Sequence, residues 1–116
     1  MKIFIAGHRG MVGSALVREA KALGDYEIQT ATRSELDLLD QAACYEWLQG
    51  HRPDQVIIAA AKVGGIKANN TYKADFIREN LDIQNNLIHG SFKNGVKKII
   101  FLGSSCVYPI NCKRPI

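Results

Sequence analysis

The amino-acid sequence predicts an α/β fold, in which helices cover both faces of a parallel sheet. Four short apolar segments with strand character alternate with three segments whose apolar residues recur at helical spacing. That alternation is typical of parallel strands joined by crossover helices. The third apolar segment, residues 55–61, contains almost no polar residue, as expected for a strand that is buried on both faces.

Turn and cap residues mark the ends of the predicted elements in the first half of the chain. Gly7 ends the first strand, Gly24 stops the first helix, and Pro53 lies just beyond the second helix. Asp40 is a candidate N-cap of that second helix, whose apolar side includes Trp47. The predicted order is strand, helix, strand, helix, over residues 2–6, 11–23, 26–32 and 41–52.

The second half predicts a strand, one long helix and a last strand, over residues 55–61, 71–93 and 97–103. Six apolar side chains of the long helix are expected to point inward: Phe76, Ile77, Leu81, Ile83, Leu87 and Ile88. No further helical pattern follows, whereas a doubly wound sheet normally has two more strands. We therefore expect residues 1–116 to be the truncated first part of a larger Rossmann-like sheet.

Composition limits the class of protein. With 116 residues, 47% hydrophobic and 22% charged, the chain predicts one small globular domain. It contains no membrane-length apolar segment and no signal peptide, so we expect a cytoplasmic protein without a membrane partner. The net charge of +4 comes from scattered residues, which argues against a nucleic-acid partner. Cys44, Cys106 and Cys112 lack metal-ligand spacing, so we expect reduced thiols and no metal site.

The turn after the first strand carries the strongest functional signal. Gly7 permits a sharp turn, Gly10 lets the backbone approach a ligand, and Gly13 lets the helix pack closely on the sheet. Free N–H groups and aligned dipoles at the start of the helix favour a diphosphate there. Three turn glycines without a ligand are the alternative. In this context the pattern predicts a dinucleotide-binding turn formed by Gly7, His8, Arg9, Gly10, Met11, Val12 and Gly13.

The residues after the second strand indicate which dinucleotide is bound. A carboxylate usually follows this strand in NAD-binding proteins, whereas Arg33 stands here and can bind a 2′-phosphate through two hydrogen bonds. Arg9 can reach the same phosphate, so the pair favours NADP(H). Glu35 and Asp37 lie nearby, and two solvated arginines are the alternative. Leu38 belongs to a segment that is a candidate to pack along the adenine ring.

Small and polar residues are predicted at the carboxyl ends of the third and fourth strands, where ligands bind in open α/β sheets. Ala60 and its neighbours leave room for the ribose and nicotinamide. Ser104 can donate a hydrogen bond to a substrate oxygen, and Cys106 supplies a thiol for proton transfer. The alternative is that Ser104 and Ser105 satisfy backbone groups in a loop and that Cys106 is a small buried side chain. From these residues alone the alternative is favoured.

Four segments resemble the GDP-L-fucose synthase family, a group of extended short-chain dehydrogenase/reductases. They are residues 4–14, 59–66, 68–72 and 101–109, so the resemblance covers essentially the whole chain. The first segment is shared by extended enzymes in general, while Ala-Ala-Lys-Val-Gly-Gly-Ile and Gly-Ser-Ser-Cys-x-Tyr-Pro are narrower signals. Enzymes of this family epimerise GDP-4-keto-6-deoxy-D-mannose at C3 and C5, then reduce its C4 ketone with NADPH to give GDP-L-fucose.

The resemblance implies roles for individual residues. The glycine turn would cradle the diphosphate, and Arg9 and Arg33 would hold the 2′-phosphate. Ser104 would assist at the C4 oxygen, and Cys106 would act as the acid/base of epimerisation. The family also implies a GDP-sugar substrate and a homodimeric full-length enzyme. The residues expected to border the nicotinamide are Leu102, Gly103, Ser104 and Ser105.

The sequence departs from the family pattern in one respect. The Tyr-x-x-x-Lys pair used for reduction and the family's catalytic histidine do not occur in these 116 residues, and the C-terminal substrate domain is absent. We therefore expect this N-terminal NADP-binding portion to be inactive alone. A non-catalytic NADP(H)-binding module remains an alternative. Another NAD(P)-dependent nucleotide-sugar epimerase or dehydratase also remains open, although the residues around Cys106 argue against it.

Overall fold

Strands and helices alternate along residues 1–113, the part of the chain that the computed structural model describes. The elements are β1 (Lys2–Ala6), α1 (Met11–Leu23), β2 (Glu27–Gln29), α2 (Gln41–His51), β3 (Gln55–Ile58), α3 (Ile66–Thr71), α4 (Lys73–Lys93) and β4 (Lys98–Phe101), followed by a short 3₁₀ helix (Ser105–Val107). The predicted α/β fold is confirmed. No helix in this described range combines the length and the apolar character that a membrane crossing requires.

The four strands run parallel in the order β2-β1-β3-β4. Phe4 of β1 lies between Gln29 of β2 and Val56 of β3, and Val56 in turn is paired with Ile99 of β4. The chain leaves β1 for one side of the sheet and then returns across it to form β3. The strand order therefore reverses between β1 and β3, and this switch point is where open α/β sheets form a ligand crevice.

Helices cover both faces of the sheet, as the sequence predicts. On one face Ile3, Ile5 and Ile57 pack with Leu16 and Val17 of α1. On the other face α2 and α4 enclose a larger core, whose side chains include Phe4, Cys44, Leu48, Val56, Ile58 and Leu87. Because neighbouring residues of β3 enter different cores, the strand is buried on both faces, which explains its nearly continuous apolar sequence.

Two helix boundaries follow the predicted cap chemistry. The Asp40 side chain accepts a hydrogen bond from the backbone N–H of Ala43 at 3.0 Å, so it is the N-cap of α2. Gly24 ends α1 with a φ of 76°, in the left-handed region that glycine adopts without strain. The predictions for the start of α2 and the end of α1 are confirmed.

Three strands are shorter than predicted. β2 pairs with β1 only as far as Gln29, and β3 pairs with β1 only as far as Ile58. Beyond β2 the chain forms a local turn instead, in which the Thr32 hydroxyl donates to Glu35 Oε1 at 2.8 Å. β4 likewise spans only Lys98–Phe101. The residues that were expected to extend these strands form the loops at the carboxyl edge of the sheet.

The predicted helix over residues 71–93 corresponds to α4, Lys73–Lys93, and the short helix α3, Ile66–Thr71, that precedes it was not predicted. Tyr72 separates α3 from α4 with a non-helical backbone (φ −116°, ψ 43°), so Thr71 belongs to α3. Asn69 donates from its side chain to the carbonyl oxygens of Gly64 and Gly65, at 2.9 and 3.1 Å. Such side-chain bonds to the backbone compete with the regular helical pattern. They favour a short separate helix before α4.

The inward face of α4 is narrower than predicted. Phe76 and Leu87 are buried, but Ile77 is 62% exposed, and Leu81 and Ile88 are exposed as well. The predicted inward orientation of these three residues is wrong. The sequence of α4 contains two adjacent apolar stripes, and only the stripe that begins at Phe76 faces the sheet. Helical periodicity alone does not tell which of two neighbouring stripes packs.

Candidate functional site

The glycine turn joins β1 to α1 at the switch point of the sheet. Gly7 has a φ of 84°, which L side chains rarely adopt, and an added Cβ would lie 2.7 Å from backbone atoms of Ala59 and Ala60. An added Cβ on Gly13 would overlap the carbonyl oxygen of Gly7. Backbone packing therefore requires glycine at positions 7 and 13, and it brings the first loop against the loop after β3.

Gly10 differs from these two glycines. An added Cβ there would approach only the carbonyl oxygen of Gly7, at 3.4 Å, so the protein's own packing does not require glycine. Gly10 is the N-cap of α1, and in the described part of the chain no side chain caps this helix and no acidic residue stands in its first turn. The helix therefore begins with free N–H groups at the positive end of its dipole, beside the exposed residues Gly10 and Met11.

The two predicted phosphate-binding arginines lie at the same edge of the sheet, because each follows a strand that runs in the same direction. Arg9 and Arg33 are both exposed, and neither forms an ion pair with a carboxylate within residues 1–113. The neighbouring acids are engaged locally: Glu35 accepts from Thr32, and Asp37 Oδ1 accepts from the Leu39 N–H at 3.0 Å. Both guanidinium groups can therefore bind an anion.

A group of polar contacts holds the loop after β3. The side chain of Asn80 accepts a hydrogen bond from the Lys62 N–H at 2.7 Å and donates to the Lys62 carbonyl oxygen at 3.1 Å. Lys62 Nζ lies 2.6 Å from Glu79 Oε2. The hydrogen bond from Lys62 lowers the pKa of Glu79, and the charges of Lys62, Arg78 and Arg33 lower it further.

Asn80 and Glu79 were not identified from the sequence. The signal for Asn80 is its position, since it lies on the inward stripe of α4 between Phe76 and Ile83. A polar residue at an otherwise apolar position requires a hydrogen-bonding partner when it packs inward. The partner here is the backbone of a loop 18 residues earlier, which helical periodicity cannot identify.

A cleft of about 180 Å³ lies between the carboxyl ends of β3 and β4 and the inner side of α4. Ala60 and Leu102, both predicted to contact a cofactor, border this cleft together with Asn80 and Gln84. A larger groove of about 390 Å³ is open to solvent along α4, and Asn69 of α3 also lines it. The smaller cleft is the better candidate for ligand binding, because it lies beside the loop that contacts the glycine turn.

The segment after β4 combines a local structural role with an exposed thiol. Ser104 Oγ accepts a hydrogen bond from the Cys106 N–H at 3.1 Å and caps the 3₁₀ helix, as the structural alternative for this serine predicts. Its hydroxyl proton remains available for donation. Cys106 is exposed, so the alternative that it is a small buried side chain is wrong. Residues 102–105 are exposed at the same edge.

Cys44 of α2 is buried in the core, where its thiol lies near the carbonyl oxygens of Asp37 and Leu38, and it is a different kind of thiol from Cys106. Burial, together with the nearby charges of Asp40 and Asp37, raises the pKa of Cys44 to about 12. The neutral thiol stabilises the fold below the ordinary pKa of 9.0, and this contribution is lost as the pH rises toward 12. Cys44 is therefore unsuited to acid–base chemistry near neutral pH.

We expect Cys106 and Cys112 to react with a thiol reagent such as DTNB in the folded protein at pH 8, while Cys44 reacts only in denaturant. The buried thiol is both inaccessible and neutral at this pH. Counting the thiols released before and after unfolding measures this, and Cys44→Ala should remove only the slow thiol. Three fast-reacting thiols in the folded protein would contradict the prediction.

The chain has the features of Rossmann-like nucleotide-binding domains. These are a parallel sheet with a switch point, a glycine turn after the first strand, and a helix start that no side chain caps. The chain is assigned further by comparison with known proteins. Residues 3–116 match the NAD dependent epimerase/dehydratase family, and the chain belongs to this family.

Relatives of known name and structure narrow the comparison. The chain is 55% identical over 115 residues to the GDP-L-fucose synthase of Escherichia coli (strain K12), a match that covers 99% of this chain and 36% of that protein. MlghC, a GDP-mannoheptose C4 reductase from Campylobacter jejuni solved with NADP bound, has a TM-score of 0.93 and 46% identity over 99% of this chain and 36% of its own. A GDP-L-fucose synthetase from Naegleria fowleri bound to NADP has a TM-score of 0.85 and 30% identity, over 99% of this chain and 34% of its own. The chain thus spans about a third of the length of these relatives.

Proposed function

We propose that the chain is the NADP(H)-binding part of a GDP-L-fucose synthase. The observation that carries the proposal is the exposed start of α1 at Gly10, which no side chain caps, together with two arginines at the same edge that have no carboxylate partner in residues 1–113. The identity of 55% to the Escherichia coli enzyme supports the choice of a GDP-4-keto-6-deoxy sugar as substrate.

The residues at this edge fit the chemistry of the cofactor. The N–H groups of the turn and the dipole of α1 suit a diphosphate, and the missing Cβ of Gly10 leaves room for its approach. Arg9 and Arg33 suit the 2′-phosphate, and Leu38 suits the adenine ring. The nicotinamide end is assigned to Ala60, Leu102, Gly103, Ser104 and Ser105. His8, Met11 and Val12 contribute to the diphosphate turn.

The exposed segment after β4 suits the chemistry of a ketosugar. NADPH would supply the hydride that reduces the C4 ketone, and the proton for the C4 oxygen would come from the tyrosine of the family's Tyr-x-x-x-Lys pair, which these 116 residues do not contain. The Ser104 hydroxyl positions the C4 oxygen by donating a hydrogen bond to it. The C4 ketone acidifies the hydrogens at C3 and C5, and the Cys106 thiol exchanges protons at these carbons. The Ser104 hydroxyl accepts a hydrogen bond from the backbone N–H of Cys106, which fixes the serine side chain against the backbone of the residue that carries the thiol.

A second candidate function is the reduction of a different GDP-4-ketosugar. The similarity to the GDP-mannoheptose C4 reductase, at 46% identity and a TM-score of 0.93, favours this alternative. The two candidates differ chemically at C3 and C5, because epimerisation requires these hydrogens to exchange with solvent and a simple C4 reduction does not. Deuterium incorporation at C3 and C5 in D₂O, measured on the full natural gene product, therefore distinguishes them.

We expect the protein to bind NADPH at least about tenfold more tightly than NADH, because a 2′-phosphate adds charge-assisted hydrogen bonds to guanidinium groups. Arg33→Ala should weaken NADPH binding by about tenfold and leave NADH binding unchanged, since only NADPH carries the 2′-phosphate. Fluorescence titration at fixed ionic strength measures both affinities.

Arg52→Ala is a matched control for this experiment. Arg52 is also exposed and also lies in a loop at the end of an element, but it follows α2 and precedes β3, at the opposite edge of the sheet. It should leave both affinities unchanged. Equal affinity of the wild-type protein for the two coenzymes would contradict the assignment of NADP(H).

A further inference from the structure

Helix α4 contacts both ends of the proposed cofactor site through two asparagine side chains. Asn80 makes two hydrogen bonds to the backbone of Lys62, in the loop after β3. Asn86 Nδ2 donates to the carbonyl oxygen of Leu38 at 2.9 Å, in the loop that leads to α2. The first loop is assigned to the nicotinamide end of the cofactor and the second to its adenine end.

These loops need such contacts because their backbones lie beyond the paired residues of the sheet. β3 ends at Ile58 and β2 ends at Gln29, so strand pairing fixes neither Lys62 nor Leu38. Backbone N–H and C=O groups that leave a ladder require other partners. The Asn80 side chain bonds to both backbone polar groups of Lys62, the N–H and the C=O. Glu79 forms an ion pair with the side chain of Lys62.

One rigid element connects the two contacts. Asn80 and Asn86 stand six residues apart within the 21 residues of α4, which corresponds to about 9 Å along the helix axis. Asn86 is only 6% exposed, and its neighbour Leu87 is fully buried, so this part of the helix is anchored in the core. The helix can therefore hold the two loops at a fixed separation.

We propose that Asn80 and Asn86 are positioning residues, Asn80 for the nicotinamide end of the site and Asn86 for its adenine end. Neither is assigned a contact with the cofactor; each acts through the loop backbone that it holds. This inference rests on the proposed NADP(H) site and adds that the core helix α4 fixes the distance between the two ends of that site.

Two ligands that occupy different lengths of the site distinguish the role of Asn80 from that of Asn86. NADPH occupies both ends of the site, whereas adenosine 2′,5′-bisphosphate occupies only the adenine end. Asn80→Ala should weaken NADPH binding by about tenfold, the effect of losing one to two hydrogen bonds, and leave the bisphosphate affinity unchanged. Asn86→Ala should weaken both ligands by a similar factor. Calorimetric titration of each variant with each ligand measures the four affinities.

The chain offers a matched control on the same helix. Asn85 is exposed next to Asn86 and lies outside the lining of the cleft. Asn85→Ala should bind both ligands like the wild type. Circular dichroism melts establish that each variant is folded at the temperature of titration. If Asn86→Ala is unfolded, Asn86→Ser retains a shorter hydrogen-bond donor at this position and takes its place.

The outcomes separate this inference from the function on which it rests. If the wild-type protein binds neither ligand, the proposed function fails and the inference fails with it. If the wild type binds both ligands and Asn80→Ala weakens them equally, Asn80 acts only through general stability, and the positioning role is wrong. Unchanged affinities in both asparagine variants would also overturn it. A loss confined to NADPH in Asn80→Ala is the result that the positioning role requires.

Discussion

Replacing Gly13 by alanine should destabilise the fold and abolish NADPH binding. The added Cβ would overlap the carbonyl oxygen of Gly7 and approach its carbonyl carbon, and these are backbone atoms that no side-chain rotation can move away. Relief requires α1 to shift relative to β1. We expect a loss of about 3 kcal/mol or more in the free energy of unfolding, at the upper end of the cost of overpacking. For a domain of this size that corresponds to a fall in Tm of at least about 10 °C.

Two other glycines provide controls for this prediction. A Cβ on Gly50, within α2, would meet no atom within 4 Å, so Gly50→Ala should be neutral or stabilise the helix by up to about 1 kcal/mol. Gly10→Ala should leave Tm nearly unchanged, because only the Gly7 carbonyl oxygen lies near, yet it should weaken NADPH binding. Thermal melts and NADPH titrations of the three variants measure these effects. A stable Gly13→Ala protein that binds normally would contradict the close packing of this turn.

The difference between Gly10 and Gly13 shows what the sequence predicts and what it leaves open. Their spacing predicts a phosphate turn, and the turn lies where the pattern places it, between β1 and α1. The spacing does not tell which glycine serves the fold and which leaves room for a ligand. That distinction depends on how closely an added Cβ at each position would approach the carbonyl group of Gly7, a backbone distance that the spacing of the glycines does not give.

Other features were predictable because their causes are local. The Asp40 side chain caps α2, which begins one residue later. Gly24 ends α1 because its backbone adopts the left-handed conformation. The contacts of Asn80 and Asn86 were not predictable, since each joins α4 to a loop at least 18 residues away. The exposed side of Ile77 was not predictable either, because its orientation depends on how α4 packs against α2 and the sheet. The sequence therefore predicts elements and caps better than contacts between elements.

The three cysteines of the chain differ in a way that restricts the proposed chemistry to one of them. The pKa of Cys44 is raised to about 12 by burial, so this thiol does not exchange protons with a substrate near neutral pH. Cys112 is half-buried and lies beyond the 3₁₀ helix. Cys106 is exposed at the carboxyl edge of the sheet, within the 3₁₀ helix that Ser104 caps. Among these thiols Cys106 is the exposed one, and it stands four residues after Leu102, which borders the cleft between β3 and β4.

In the full natural gene product, Cys106→Ala should reduce deuterium incorporation at C3 and C5 of the GDP-4-ketosugar by about a thousandfold, within the range attributed to a general acid–base group. NADPH affinity should stay within about twofold of the wild type, because the thiol is not part of the cofactor turn. Mass spectrometry of the sugar after incubation in D₂O measures the exchange. Cys112→Ala is the matched control and should exchange normally. Undiminished exchange in Cys106→Ala would exclude this thiol as the acid/base, whereas no exchange in the wild type would favour a simple C4 reductase.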